Sequence, residues 1–357
     1  MNTDLHGDSN SMQFEIEEKI LHFKQPAGTS RGVYTTRKSW FVHLHDGEHE
    51  GVGECAPLPD LSCDARPDYA EILNKLCEAF CQTGEIDYEK LRDYPSMLFG
   101  LETALLTLRS NLSPLASHPS PLLFDTAFSR GEVGIPINGL VWMGSYEEML
   151  KRMEEKLEKC FRCVKLKIGA IHFDQELDLI KRIRERFSFH EVELRLDANG
   201  AFPFEEALYK LELLSQYNIH SIEQPIRQGQ WAYMAELCRE SPLPIALDEE
   251  LIGVNDPDMK RHMLNIIKPR YIILKPSLHG GMQGCREWIE TARDMGIGSW
   301  ITSALESNIG LNAIAQFASD VYGDDIRMPQ GLGTGQLFTD NIDMGLEIRG
   351  DKLWRIC

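Results

Sequence analysis

From Lys167 onward the chain closes one short apolar run after another on an ionisable residue. Asp197 follows 30 residues later, Glu223 26 after that, Asp248 25 further on and Lys275 another 27. That interval is the length of one strand, one helix and their loops, so the five residues mark the same position in five successive βα units. The runs belong to a longer series, IPINGLV, CVKLKIG, VELRLDA, HSIEQPI, LPIALDE, YIILKPS and GSWITSA, spread over residues 135–304. Between them lie stretches with apolar residues three and four apart, such as EEMLKRMEEKLEKC, DQELDLIKRIRERF and PFEEALYKLELLSQY, the pattern of amphipathic helices. Repeated βα units specify a parallel sheet buried on both faces, and seven or eight in a row favour a closed (β/α) barrel over an open sheet.

The chain before this series reads differently. FEIEEKILHF and RKSWFVHLHDGEHEGVGECAP alternate apolar and polar residues as strands do, with Asp46-Gly47 as a turn, and PDYAEILNKLCEAF and SMLFGLETALLTL are helical. We therefore expect a disordered polar tail over 1–11, an α+β domain over 12–130, the barrel over 131–335 and a C-terminal segment over 336–357 that returns to the first domain. His43, His45 and His49 lie on the hairpin, where a solvated face explains them better than a metal site. Nine scattered cysteines indicate reduced thiols, and the Cys160-x-x-Cys163 pair runs directly into an apolar strand, which favours packing over redox or zinc chemistry.

A formal charge of -18 repels phosphate backbones and anionic lipid, which argues against nucleic-acid and membrane partners. No apolar run reaches the ~18 residues that cross a bilayer, and the N-terminus lacks the features of a secretory signal. A cytoplasmic location is expected.

The C-terminal ends of barrel strands are where chemistry is done. Five ionisable groups brought to one rim must neutralise each other or a ligand, because an unpaired buried ion costs several kcal/mol. Asp197, Glu223 and Asp248, from adjacent strands, form a hard oxygen set suited to Mg²⁺, with Mn²⁺ able to substitute. Glu249 and Glu250 also compete for the third place. Parity favours Asp248, which alternates with the small Ala246, and turns Glu249 away to a supporting position. Lys165 and Lys167, two apart, share a face, and Lys275 lies some four units round the rim. Beside a dication, and partly desolvated, such lysines are candidate bases. Arg195 has the parity of Asp197, and Asn199 lies just past the strand; with Ser303 they are candidate substrate contacts. The Gly331–Gly335 run GLGTG lacks the lysine and spacing of nucleotide loops and reads as a barrel loop.

KLK at 165–167, LDANGAF at 196–202, IEQPI at 222–226, ALDEEL at 246–251, ILKPSL at 273–278 and TSALESNIG at 302–310 together resemble the enolase superfamily, muconate-lactonising subgroup. The resemblance spans nearly the whole chain, including GVGECAPLPDLS, which looks like the superfamily's substrate-covering loop. It implies a modified TIM barrel, (β/α)7β, with an N-terminal α+β capping domain whose loops at 29–32 and 57–62 cover the mouth. It also implies Mg²⁺ on Asp197, Glu223 and Asp248, with Lys167 abstracting a proton alpha to a substrate carboxylate and Lys275 on the opposite face; a Lys base with Mg²⁺ stabilising an ene-diolate is this superfamily's pattern. TSALESNIG followed by GLGTGQLF is most similar to the branch that dehydrates 2-succinyl-6-hydroxy-2,4-cyclohexadiene-1-carboxylate in menaquinone biosynthesis. Dipeptide epimerases of the subgroup present an Asp-x-Asp near the last strand, and RMPQGLGTG has none. An epimerase or N-acylamino acid racemase is the alternative within the subgroup, and a non-catalytic barrel binding an acidic ligand the alternative outside it.

Overall fold

The computed structural model describes residues 12–29, 32–112 and 120–356, so the expected tail lies outside the described residues. β1 (Gln13–Thr29), β2 (Gly32–His45) and β3 (Glu50–Cys55) form an antiparallel sheet in that order. The Asp46 side chain accepts from the backbone N–H of Glu48 at 3.0 Å and of His49 at 2.7 Å, an Asx turn that reverses the chain between β2 and β3. On that hairpin His43 pairs with Glu50 at 2.5 Å and His49 lies 3.5 Å from Asp46. His43 also lies 3.5 Å from Glu17, so each histidine contacts its own carboxylates.

Three helices follow: α1 (Tyr69–Thr83), α2 (Tyr88–Leu91) and α3 (Pro95–Asn111). α1 stops at Gly84, whose left-handed φ of 72° lets its N–H close back on Phe80 O. α3 lies directly on β3, and glycine makes that approach possible. A Cβ on Gly53 would fall 1.8 Å from Gly100 O and 2.6 Å from Ala104 N. Gly53→Ala should therefore force strand and helix apart and cost about 1–3 kcal/mol. Thermal unfolding checks this; an unchanged midpoint would mean that α3 shifts without resistance.

The barrel is built from β5 (Gly139–Val141), just after a short β4 (Ile135–Pro136), then α4 (Tyr146–Glu158), β6 (Cys163–Lys167), α5 (Phe173–Arg186), β7 (Glu193–Asp197), α6 (Phe204–Ser215), β8 (Ser221–Glu223), α7 (Trp231–Glu240), β9 (Ile245–Leu247), α8 (Pro257–Ile267), β10 (Tyr271–Leu274), α9 (Gly281–Asp294), β11 (Gly298–Ile301) and α10 (Asn308–Tyr322). β5 to β11 lie side by side in chain order in one parallel sheet. Its two edges are joined by the start of the glycine-rich run: Gln330 bridges Ile137 and Gly331 bridges Thr302, both in parallel sense. The eighth strand position is thus filled by two residues, the (β/α)7β arrangement.

Alternation along the strands sorts the side chains. Val164, Leu166, Leu194, Leu196, Ile222, Leu247, Ile272 and Leu274 belong to the large core that includes the helices. The other parity faces inward and is far more polar than packed barrel interiors usually are: Lys165, Arg195 and Ser221 stand in register there, with Trp300 from β11. Finally, residues 337–339 bond to β1 through Lys24 N–Leu337 O and Thr339 N–His22 O, both 2.8 Å, while β12 (Leu346–Arg349) and β13 (Lys352–Arg355) extend a small antiparallel sheet to β4.

Candidate active site

The strands end in register, with Lys167 opposite Asp197 and Asp197 opposite Glu223. The charges therefore meet directly. Lys165 Nζ lies 2.6 Å from Glu223 Oε2 and 3.0 Å from Asp197 Oδ2, and Lys167 Nζ lies 2.8 Å from the same Asp197 oxygen. On the far side Lys275 Nζ is 2.6 Å from Asp248 Oδ2. All three carboxylates are buried.

Burial opposes the charged form of Asp197, but the Lys165 and Lys167 ammonium groups outweigh it and hold the carboxyl below its ordinary range. Asp248 is lowered against the same burial by Lys275. Glu223 is different: burial, reinforced by repulsion from Asp197 and Asp248, pushes its carboxyl up to about 8 against the pull of Lys165. Lys165 is itself raised, its burial outweighed by Asp197 and Glu223. Geometry identifies this contact as an ion pair, because a 2.6 Å bond between buried groups is the length of a charge-assisted one.

A cavity of about 100 Å³ opens above these charges. Lys165, Lys167, Asn199, Glu249, Lys275 and Ser303 line it from the barrel, and Tyr34, Leu58 and Leu61 close it from the capping domain. The 57–62 loop thus stands over the mouth as its sequence implies. Of the 29–32 loop, Ser30 and Arg31 lie outside the described residues, as does the Thr29 side chain. Asp197, Glu223 and Asp248 are not on the cavity wall but sit beneath the lysines.

Three expectations need correction or refinement. Arg195 does not line the cavity: it lies deeper in the barrel, fully buried, paired with Glu193 at 2.9 Å, donating to Pro329 O at 2.9 Å, its guanidinium 4.4 Å from the Trp300 ring centre. Parity was right about the inward direction and silent about depth. Glu249 does not turn away, because strand alternation stops at Leu247 and a 3-10 turn over Glu249–Leu251 brings its side chain to the cavity. There Asn199 Nδ2 donates to Glu249 Oε1 at 2.8 Å, while Asn199 Oδ1 accepts from Lys167 Nζ at 2.9 Å. Of the CxxC pair, Cys163 is buried but Cys160 is exposed, so packing explains only one of the two.

Two supporting residues escaped the sequence reading. Gln224 Oε1 accepts from the N–H of Asp248 at 3.3 Å and of Glu250 at 3.1 Å, and so fixes the acidic loop. Its φ of 40° is left-handed, against the extended backbone expected of a residue before proline, so the EQP motif gave no signal of it. His279 Nδ1 accepts from Lys275 N at 2.8 Å, and burial pushes the ring's pKa down to about 3, keeping it the neutral acceptor this bond requires.

Whether the carboxylates suit a divalent cation can be tested on their oxygens. Among the described residues no acidic, histidine or cysteine side chains stand ready as a cage, since lysines contact one oxygen of each carboxylate. The other oxygens of Glu223 (Oε1) and Asp248 (Oδ1) are buried without a hydrogen-bond partner. Those two oxygens, beside Asp197 whose Oδ1 accepts from Asn199 N at 3.1 Å, and a described cavity wall without histidine or cysteine fit a hard cation better than a soft one.

Comparison with known proteins agrees with this architecture. The Enolase C-terminal domain-like family matches residues 148–334, and the MenC N-terminal domain family matches residues 29–108. The chain is 45% identical to the o-succinylbenzoate synthase of Desulfotalea psychrophila, over 96% of this chain and 99% of that one. It is 25% identical to a hydrophobic dipeptide epimerase from a Flavobacteria bacterium, over 87% of each. The crystal structure of MenC from D. psychrophila superposes with a TM-score of 0.81 at 40% identity, covering 96% of this chain and 99% of that one. A dipeptide epimerase from Enterococcus faecalis, solved with Mg and the dipeptide L-Leu-L-Tyr, superposes equally well (TM-score 0.82, 97% and 96% coverage) at only 18% identity. Shape alone therefore does not separate these activities; what stands apart is the 45% identity over nearly the whole chain to one synthase. On the matches of both its domains and its near-full-length relative, the chain belongs to the enolase superfamily, and within it to the MenC type.

Proposed function

We propose that this chain is an o-succinylbenzoate synthase, a hydro-lyase that converts 2-succinyl-6-hydroxy-2,4-cyclohexadiene-1-carboxylate to 2-succinylbenzoate by syn dehydration in menaquinone biosynthesis. The observation that carries the reading is 45% identity to such an enzyme along almost its whole length. Lys167, held at the cavity wall by Asp197 and Asn199, takes the proton from the ring carbon that bears the carboxylate. It then returns that proton to the hydroxyl on the adjacent ring carbon, on the same face. Water leaves and the ring becomes aromatic. Lys165, shared by Asp197 and Glu223, keeps its proton and fixes the carboxylates beneath the substrate. Lys275, from the opposite wall, faces the negative charge that develops as the proton departs. Asn199 and Ser303 offer polar contacts to the substrate, whereas Arg195 lies too deep to do so.

Asp197, Glu223 and Asp248 would hold the divalent cation, Mg²⁺ with Mn²⁺ as a substitute, and Glu249 would support them. When bound, the cation supplies positive charge to the substrate carboxylate. Among the described residues no helix is long and apolar enough to cross a membrane.

The test is absorbance: the purified protein mixed with the cyclohexadiene substrate should build the ultraviolet band of an aromatic acid, whereas epimerisation of a dipeptide changes no chromophore. One observation favours the epimerase as a second reading, namely that lysines stand on opposite walls of the cavity and could each carry a proton. Two variants separate these. Lys275→Ala should lose about 10²–10³ in rate as a cation is removed, and Lys275→Arg should recover part of it, because arginine keeps the charge but cannot yield its proton. An arginine variant no better than alanine would return weight to two-lysine proton transfer.

A further inference from the structure

One buried guanidinium joins the two halves of the cavity wall. Arg37, on β2, is 2% exposed. Its Nη2 donates to Ala56 O at 2.6 Å and Ala304 O at 3.1 Å, its Nη1 to Pro57 O at 2.6 Å and Lys38 O at 3.2 Å, and its Nε to Leu305 O at 3.2 Å. Two of these carbonyls belong to the capping loop just before Leu58. Two more belong to the barrel rim just after Ser303. Leu58, Ala304 and Leu305 all line the cavity and share one apolar cluster with Leu278.

A buried cation is a costly way to join two loops, since well-packed apolar residues can give equal stability. What it adds is direction, because a planar fork fixes several acceptors at set angles. Counter-charge comes from Glu54 and Glu306, both buried, whose attraction opposes the burial of Arg37. Their own oxygens accept elsewhere. Glu54 takes Ser39 Oγ at 2.9 Å, Ser307 N at 2.9 Å, Ser307 Oγ at 2.5 Å and Gly310 N at 3.0 Å, and Glu306 takes Ser277 Oγ at 2.7 Å and Ala304 N at 2.6 Å. The guanidinium is left to direct its donors at carbonyls of both loops.

We propose that Arg37 is a positioning residue for the dehydration, locking capping loop 56–58 to barrel rim 304–305 so that the cavity wall is assembled before substrate binds. The proposal rests on the activity assigned above. Without the lock, loop order must be gained at binding, and apparent affinity falls by the fraction of molecules with the wall assembled. Proton transfer at Lys167, on β6, does not pass through these loops.

Arg37→Lys keeps a cation between Glu54 and Glu306 but replaces the fork with a single ammonium, which cannot hold both loops at their present angles. We expect KM to rise about tenfold and kcat to stay within about threefold, the signature of weakened preorganisation. The reference is Glu102→Gln at another junction of cap and barrel, where Glu102 on α3 accepts from Met282 N at 2.6 Å and Gln283 N at 3.0 Å, away from the cavity. That variant should move the thermal midpoint and leave KM unchanged. A second readout needs no substrate: the amides of Leu58, Leu61 and Ser62, bonded within their turn at 2.8–3.3 Å, should exchange with deuterium about tenfold faster in Arg37→Lys. Wild-type KM and wild-type exchange in that variant overturn the proposal, as does an equal rise of KM in Glu102→Gln. If the unaltered protein does not dehydrate the cyclohexadiene, the activity reading falls by itself and the exchange rates decide on Arg37. Should Arg37→Lys not fold, Arg37→Gln/Glu306→Gln removes charge and counter-charge together, and an unchanged KM and exchange rate there overturn the proposal equally.

Discussion

Lys167→Ala should abolish both the appearance of aromatic product and the exchange of the substrate's ring α-hydrogen with D₂O. General-base catalysis is worth about 10²–10⁴ in rate, and here no neighbour can take over. Lys165 is held by two carboxylates at 2.6 and 3.0 Å, and Lys275 stands beside Asp248, four strands round the sheet from Lys167. The exchange measurement is the sharper one, since it reports proton abstraction even where water is never expelled. Exchange that persists in the alanine variant would place the base elsewhere.

A loss of similar size is expected from neutralising the carboxylates. Asp197→Asn and Glu223→Gln preserve side-chain volume in buried positions, so circular dichroism should report an intact fold. Turnover should nevertheless fall by at least about 10²–10³, because each change removes anionic charge from the site proposed to hold the cation. Exhaustive chelation of the unaltered protein should have the same effect and be reversed by added Mg²⁺. Activity that survived chelation, or near-normal turnover of Glu223→Gln, would remove these residues from the metal assignment.

How much of the fold and site is legible in the sequence depends on the range of the cause. The spacing from Lys167 to Lys275 reflects the repeating βα unit, a local and periodic constraint, and so the charged rim can be located from the order of residues alone. Parity places Lys165 and Lys167 on one face for the same reason. It fails where the backbone leaves the strand, as at Glu249, or where depth and not direction matters, as at Arg195, whose partner Trp300 lies over a hundred residues away. The Arg37 contacts with Ala304 and Leu305 are beyond reach in principle, because acceptors that are backbone carbonyls leave no side-chain signature in a sequence.

The pairing of β4 with β13 has a consequence for how this chain is made. Ile135 lies opposite Leu353 and Pro136 opposite Lys352, partners separated by over two hundred residues. On a ribosome β4, the strand just before the barrel, therefore emerges roughly 10–40 s before its mate at usual elongation rates. Throughout that interval the nascent chain carries an unpaired edge beside the apolar Ile135, the kind of surface on which neighbouring polypeptides stick. The barrel strands can pair one by one during translation and close at Gln330 and Gly331, whereas the edge of β4 stays open until Lys352 and Leu353 have been added.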